Sequence, residues 1–259
     1  MLSRKGNKSK LADKIISHFP PHDCYIEPFF GSGAIFFRKP KVQYNLLNDI
    51  DKNVYHLFYQ LQFNGEEFRE KLSQAIIHET CIKEKWYEIH PDPAFRAVYY
   101  LLSCNYSIMA ENSSLQLNRL NFLTIAQSRV DSIVEKLQGV LFANKGAIEF
   151  LNAIGRCSLG VKSNFVYLDP PYLNTKAYKN NFTEQDLIDL IDTLISKNIK
   201  FAISEFESPQ MTRIAEVKGL RINHIAERRN LRNRATEVLL TNYEPILAQS
   251  DRQLLFSQV

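Results

Sequence analysis

Several familiar devices are missing from this chain. It has no CxxC pair: its four cysteines, Cys24, Cys81, Cys104 and Cys157, stand far apart, mostly among apolar or aromatic neighbours. That spacing implies neither a zinc ribbon nor a disulfide framework and points to buried, reduced thiols. The six histidines form no HExxH and no paired ligand spacing, so none is assigned to a metal. No apolar run reaches the length of a membrane span, and the basic amino end carries no apolar signal core. The expected location is the cytoplasm, without membrane contact. There is no internal repeat, no low-complexity tract and no GxGxxG fingerprint. Neither sign of charge is in large excess: 32 Lys and Arg face 28 Asp and Glu, a formal net charge of +4. That balance permits a nucleic-acid partner without requiring one.

What is present suggests a soluble globular chain. At 259 residues, 45% hydrophobic and 23% charged, it has material for one large domain, or for one domain with an inserted lobe. Residues 8–18 read as a helix stopped by Pro20-Pro21. Cys24–Glu27 and Tyr44–Leu47 read as strands, with a glycine turn and a helix from Ile35 between them. Segments 53–63, 66–78, 94–109 and 127–138 look helical with no buried strand among them. The domain expectation is therefore a catalytic unit of residues 1–54 and 139–259 and an inserted lobe of 55–138. Strand and helix then alternate again: strands at 140–143, 165–168, 200–204, 220–225 and 237–241, helices at 146–154, 184–196 and 209–217. This is the rhythm of an α/β sheet, and the last two strands suit an antiparallel pair.

Asp169-Pro170-Pro171-Tyr172 follows the apolar run Phe165–Leu168. A strand end in an open α/β sheet is where ligands bind. Two prolines fix the backbone and donate no N–H. A carboxylate, a free carbonyl and an aromatic face together can hold a flat heterocycle by its amino group. The plainer reading is a turn that packs a tyrosine. Gly31-Ser32-Gly33 lies between a strand and the helix expected from Ile35, where glycine lets the backbone approach a ligand. A capped tight turn is the alternative there. Asp49 ends the next strand, where a carboxylate can accept ribose hydroxyls.

These residues resemble a known family. Glu27-Pro28-Phe29-Phe30-Gly31-Ser32-Gly33-Ala34, Asn48-Asp49-Ile50 and Asp169-Pro170-Pro171-Tyr172 match, in order and in the long gap, the Dam-type (D12 class, alpha-group) DNA adenine N6-methyltransferases. Gly6-Asn7-Lys8 is similar to that family's amino-terminal cofactor motif, and Arg234 to Tyr243 to its closing strand motif. The resemblance implies a Rossmann-like, S-adenosylmethionine-dependent methyltransferase fold. Its sheet would be seven-stranded and mostly parallel with an antiparallel edge strand, beside a mainly helical inserted lobe. It implies that S-adenosyl-L-methionine lies over Glu27, Pro28, Phe29, Gly31, Ser32 and Gly33, with its ribose on Asp49 and Ile50 beside it. Gly6 and Lys8 would hold its methionine part; the family often has an acid where Asn144 is the nearest candidate here, and its amide would read the cofactor's adenine edge. Asp169, Pro170 and Tyr172 would act on an adenine flipped from double-stranded DNA.

The remaining expectations concern the partner. Asn118, Arg119 and Asn121 are candidates for base contacts, with phosphate contact or loop polarity as alternatives. Lys8 in the first basic cluster, and Arg228, Arg229, Arg232 and Arg234 in the second, are candidates for one phosphate rim, with a plain solvated face as the alternative for each cluster. Methyl transfer to cytosine N4 or to RNA adenine presents similar amino chemistry and stays open as an alternative. A cognate restriction endonuclease is a further partner that the resemblance allows, and monomer and dimer both stay open.

Overall fold

The computed structural model of the protein describes residues 2, 8–107, 121–154, 163–173, 182–229 and 234–246, with Arg228, Arg229 and Arg234 described by their backbone. Short, mostly apolar runs form the central strands, and the last two are longer and more polar. The strands are β1 (Cys24–Glu27), β2 (Tyr44–Asn48), β3 (Leu141–Ala143), β4 (Asn164–Leu168), β5 (Lys200–Phe206), β6 (Arg221–Arg229) and β7 (Arg234–Thr241). They make one sheet in the order β3-β2-β1-β4-β5-β7-β6. Strands β1 to β5 pair in parallel, and β7 runs antiparallel to both β5 and β6. This is a doubly wound α/β sheet of the kind the resemblance implies, with an antiparallel pair at one end.

Period-two alternation gives the central strands β1, β4 and β5 two buried faces, as expected of a sheet covered on both sides. Cys24, Ile26, Val166 and Leu168 face one cluster, beneath α8 (Ala147–Ile154), α9 (Glu184–Ser196) and α10 (Pro209–Lys218). Helix α9 starts at a capping box, in which the Thr183 side chain accepts from the Asp186 N–H while Asp186 accepts from the Thr183 N–H. Tyr25, Leu47, Phe165, Tyr167 and Leu239 face the other cluster.

That second cluster continues into α1 (Ala12–Ile16) and the helices between β2 and β3. These are α2 (Lys52–Phe63), α3 (Gly65–Gln74), α4 (Glu79–Lys83), α5 (Trp86–Ile89), α6 (Pro93–Tyr106) and α7 (Phe122–Leu137). Val54, Leu57 and Leu61 of α2 and Val130 and Leu137 of α7 lie in the same continuous core as the sheet residue Tyr25. Each such side chain contributes roughly 2 kcal/mol by leaving water, so the helices are seated firmly on the sheet. Among the described residues, no helix is long and apolar enough to cross a membrane.

One expected element is absent. Residues 34–38 after the glycines form turns rather than a helix. The Phe37 N–H reaches the Gly33 carbonyl at 2.9 Å and the Lys39 N–H reaches that of Ile35 at 2.9 Å, and there the winding stops. Pro40 removes the next donor and disfavours helical backbone at Lys39. The run from Gly33 is too short to sustain a helix by itself. The Lys136 ammonium of α7 instead takes the carbonyls of Phe37 (2.9 Å) and Lys39 (2.7 Å). The first helix is likewise shorter than expected, covering Ala12–Ile16 rather than 8–18.

Candidate active site

The strand order brings three distant motifs to one edge. Chain order reverses about β1, whose neighbours are β2 and β4. Such a switch point opens a crevice at the carboxyl ends of the strands. Asp49 follows β2, Pro28 follows β1 and Asp169 follows β4. Neighbouring strands lie about 4.8 Å apart, so the three ends span about 10 Å. The β1–β4 register, with Tyr25 opposite Phe165 and Ile26 opposite Val166, continues to put Glu27 opposite Tyr167. Alternation then places Tyr25 and Glu27 on β1, and Phe165, Tyr167 and Asp169 on β4, toward the same sheet face.

Asp169 is the open member of this layer. Its side chain keeps 24% of its surface exposed, and its Oδ1 accepts from the Lys8 ammonium at 2.7 Å. Lys8 itself is 1% exposed and lies 3.2 Å from Glu237 Oε1. It also donates to the Tyr172 hydroxyl. Tyr172 in turn donates to Glu237 Oε1 at 2.7 Å, and its ring packs 4.4 Å from that of Phe206. Burial, with Asp169 and Glu237 nearby, drives the Tyr172 phenol well above its ordinary range, so it stays a donor. Glu27 is buried and accepts from the Tyr25 hydroxyl at 2.8 Å. Burial pushes its carboxyl well up, and the charge of Asp169 adds to that.

The glycine loop faces the same crevice. Gly31 and Gly33 have φ of +53° and +68°, the left-handed region that suits glycine. A Cβ on Gly31 would meet nothing within 4 Å, so its backbone borders open space. Asp49 ties this loop to β2: its Oδ2 accepts from the Gly31 N–H at 2.7 Å and its Oδ1 from the Asp51 N–H at 2.9 Å. Asn144 donates its amide N–H groups to the carbonyls of Asp49 (2.7 Å) and Ile50 (3.1 Å). Ile50 is 55% exposed and offers apolar surface beside these groups. Phe29 is half-buried, edge-on to Phe182 at 6.1 Å.

Other expected residues fall elsewhere. Lys8, expected at both the cofactor and a phosphate, has its ammonium enclosed and ion-paired within the layer. Gly6, Asn118, Arg119 and Arg232 lie outside the described residues. Asn121 precedes α7 and is exposed. Arg229 pairs with Arg234, and Arg228 with Ala235, at the far end of the β6–β7 ladder. Glu237 pairs with Phe206 at the carboxyl end of β5, so this ladder runs on past the edge that carries Asp169.

Two acids of the site carry little signal in the sequence. Glu237 stands there only inside the closing strand motif, with no role of its own, and Glu205 only as a charge between Ile203 and Phe206. Asn48 stands in the sequence only as part of the motif Asn48-Asp49-Ile50. Its amide donates to the carbonyls of Pro28 (3.0 Å) and Lys145 (2.9 Å) and accepts from the Lys145 N–H (2.9 Å), knitting together the ends of β1, β2 and β3.

Residues 5–231 match the family described as D12 class N6 adenine-specific DNA methyltransferase. The chain belongs to this family. The DNA adenine methylase of Salmonella typhi is 24% identical over 96% of each chain. The DNA adenine methylase of Escherichia coli (strain K12) is 25% identical over 78% of this chain and 79% of its own. Modification methylase StsI of Streptococcus sanguinis is 25% identical over 92% of this chain and 42% of its own. In this methyltransferase the buried Lys8–Glu237 pair holds the Tyr172 ring in place beside Asp169.

Glu205 sits beneath the same turn of the methyltransferase. It accepts from the N–H groups of Leu173 (3.2 Å) and Phe206 (2.8 Å), and burial pushes its carboxyl up to about 7. A raised carboxyl stabilises the fold fully below its ordinary value of 4.5, and that contribution is lost as pH rises through 7. The loss amounts to roughly 3 kcal/mol at 1.36 kcal/mol per unit. Glu205→Gln carries no such slope. Its Tm relative to wild type therefore rises by about 5 °C between pH 5 and pH 8 in calorimetric scans. A difference that is flat with pH rules this out.

Proposed function

We propose that the protein transfers a methyl group from S-adenosylmethionine to N6 of an adenine flipped out of duplex DNA. The observation that carries this reading is Asp169. It is a partly open carboxylate at the end of β4, at the switch point beside a glycine backbone that borders open space. Gly31, Gly33, Asp49, Ile50 and Asn144 form a cradle fit for a nucleoside, with a backbone to lie on, acceptors for hydroxyl and amino groups and one apolar wall. The bound cofactor supplies the methyl group as an electrophilic carbon on a sulfonium.

Everything else is positioning by the protein. An aryl amine is a poor nucleophile because its lone pair is delocalised into the ring. Asp169 and the Pro170 carbonyl accept its two N–H groups and so favour a pyramidal nitrogen with its lone pair free. Once the carbon–nitrogen bond forms, that nitrogen is strongly acidic and gives up one proton to Asp169 or water, so no strong general base is needed. Tyr172, pinned through its hydroxyl, offers the base a ring that cannot swing away. Flipping costs a few kcal/mol of unstacking, which phosphate contacts repay. Arg228, Arg229, Arg232 and Arg234 are proposed for those contacts, and Asn118, Arg119 and Asn121 for the bases. The relative named a modification methylase supports a place in restriction-modification, with a cognate endonuclease as partner.

Expression in a host free of DNA methylation, followed by single-molecule sequencing, tests the reading. N6-methyladenine in one sequence context is the expected result; N4-methylcytosine, or unmodified DNA with labelled RNA, overturns it. S-adenosylhomocysteine at 100 times its Kd should add about 2.7 kcal/mol to stability, and NAD none.

A further inference from the structure

We propose that Glu237 is a positioning residue that keeps the Lys8 ammonium neutralised when Asp169 turns to the substrate amine. This rests on the amino-group methylation proposed above. Lys8 is enclosed and lies between two carboxylates, 2.7 Å from Asp169 Oδ1 and 3.2 Å from Glu237 Oε1. The two carboxylates are not equivalent. Asp169 reaches the crevice with 24% of its side chain exposed, whereas Glu237 is 0% exposed and cannot meet a substrate.

Asp169 has one charge to give, and in the described state it gives it to Lys8. A carboxylate already neutralised by an ammonium is a poorer acceptor for an amine N–H. Lys8 cannot simply be abandoned, because a buried cation stripped of its partner is strongly disfavoured. Glu237 resolves the conflict by standing behind Lys8. It also accepts from the Tyr172 hydroxyl, so the ring that meets the base and the cation that must be held share one anchor. The high position of the Tyr172 phenol keeps its proton in that bond.

Glu237→Gln isolates the charge, since its amide oxygen still accepts from Tyr172. The assay is tritiated methyl transfer to unmethylated genomic DNA, on whichever amine the wild type methylates. We expect kcat to fall at least tenfold for Glu237→Gln, with KM for DNA and the Kd of S-adenosylhomocysteine each within twofold of wild type. Glu237→Asp, which keeps the charge, should recover a clear part of the lost kcat. Wild-type turnover by Glu237→Gln overturns the proposal. So does an equal fall for Glu237→Asp, or a loss of S-adenosylhomocysteine binding that parallels the loss of kcat, because each of these reports shape rather than charge. Methylation of cytosine by the wild type would remove adenine as the substrate, and the same variants would still decide the role of Glu237. A wild type that methylates nothing overturns both.

Discussion

Asp169→Ala turns over roughly 100- to 1000-fold more slowly than wild type, the usual cost of deleting one preorganised polar group at a reacting centre. The expectation rests on how little could replace it. Among the described acids around it, Glu27 and Glu237 are 2% and 0% exposed, so neither can reach a base in the crevice. The fold should survive, because Lys8 keeps Glu237 at 3.2 Å when Asp169 is gone. Cofactor binding should survive too, since the glycine loop is tied to Asp49 and not to Asp169. Tritium transfer alongside calorimetric titration with S-adenosylhomocysteine separates these effects. Turnover within tenfold of wild type would end the case for Asp169 as the amine acceptor.

Gly33→Ala has the largest expected effect on stability. A Cβ there would lie 2.5 Å from Phe30 Cζ and 2.6 Å from Phe37 Cε2. Phe30 cannot yield easily, because its ring already packs against those of Phe36, Phe37, Phe58 and Phe142. Overpacking costs about 1–3 kcal/mol, and a φ of +68° adds about 1 kcal/mol for an alanine. A fall in Tm of about 10 °C follows for a chain of this size. Gly31→Ala is the contrast, because its Cβ meets nothing within 4 Å. It should cost only the backbone strain, about 1 kcal/mol, yet weaken S-adenosylhomocysteine binding by filling the space proposed for the cofactor. Thermal melts with and without that ligand test both. If Gly31→Ala proves the less stable variant, or binds the ligand normally, the division of labour between the two glycines is wrong.

Much of this is legible in the chain, for local reasons. Phe165–Leu168 declares a strand by its apolar run, and Asp169-Pro170-Pro171-Tyr172 declares its end by turn chemistry. The helix expected from Ile35 fails because Pro40 outweighs the apolar run before it. The enclosure of Lys8 is of another kind. A lysine in a basic cluster reads as a solvent-facing charge, and nothing nearby announces a partner 161 residues away. Glu205 and Glu237 show no role in the sequence because a charge within an apolar strand reads as surface until the strand's neighbours are known.

Strand ends, glycine turns and the acids that follow strands depend on periodicity and backbone chemistry within a few residues, and the chain alone determined them. Which ends became neighbours depended on the sheet order, with β1 between β2 and β4 and β7 between β5 and β6. Only that order put Lys8, Asp169, Tyr172 and Glu237 within hydrogen-bonding reach of one another. Buried charges are governed by distance through space, and spacing along a chain does not encode it.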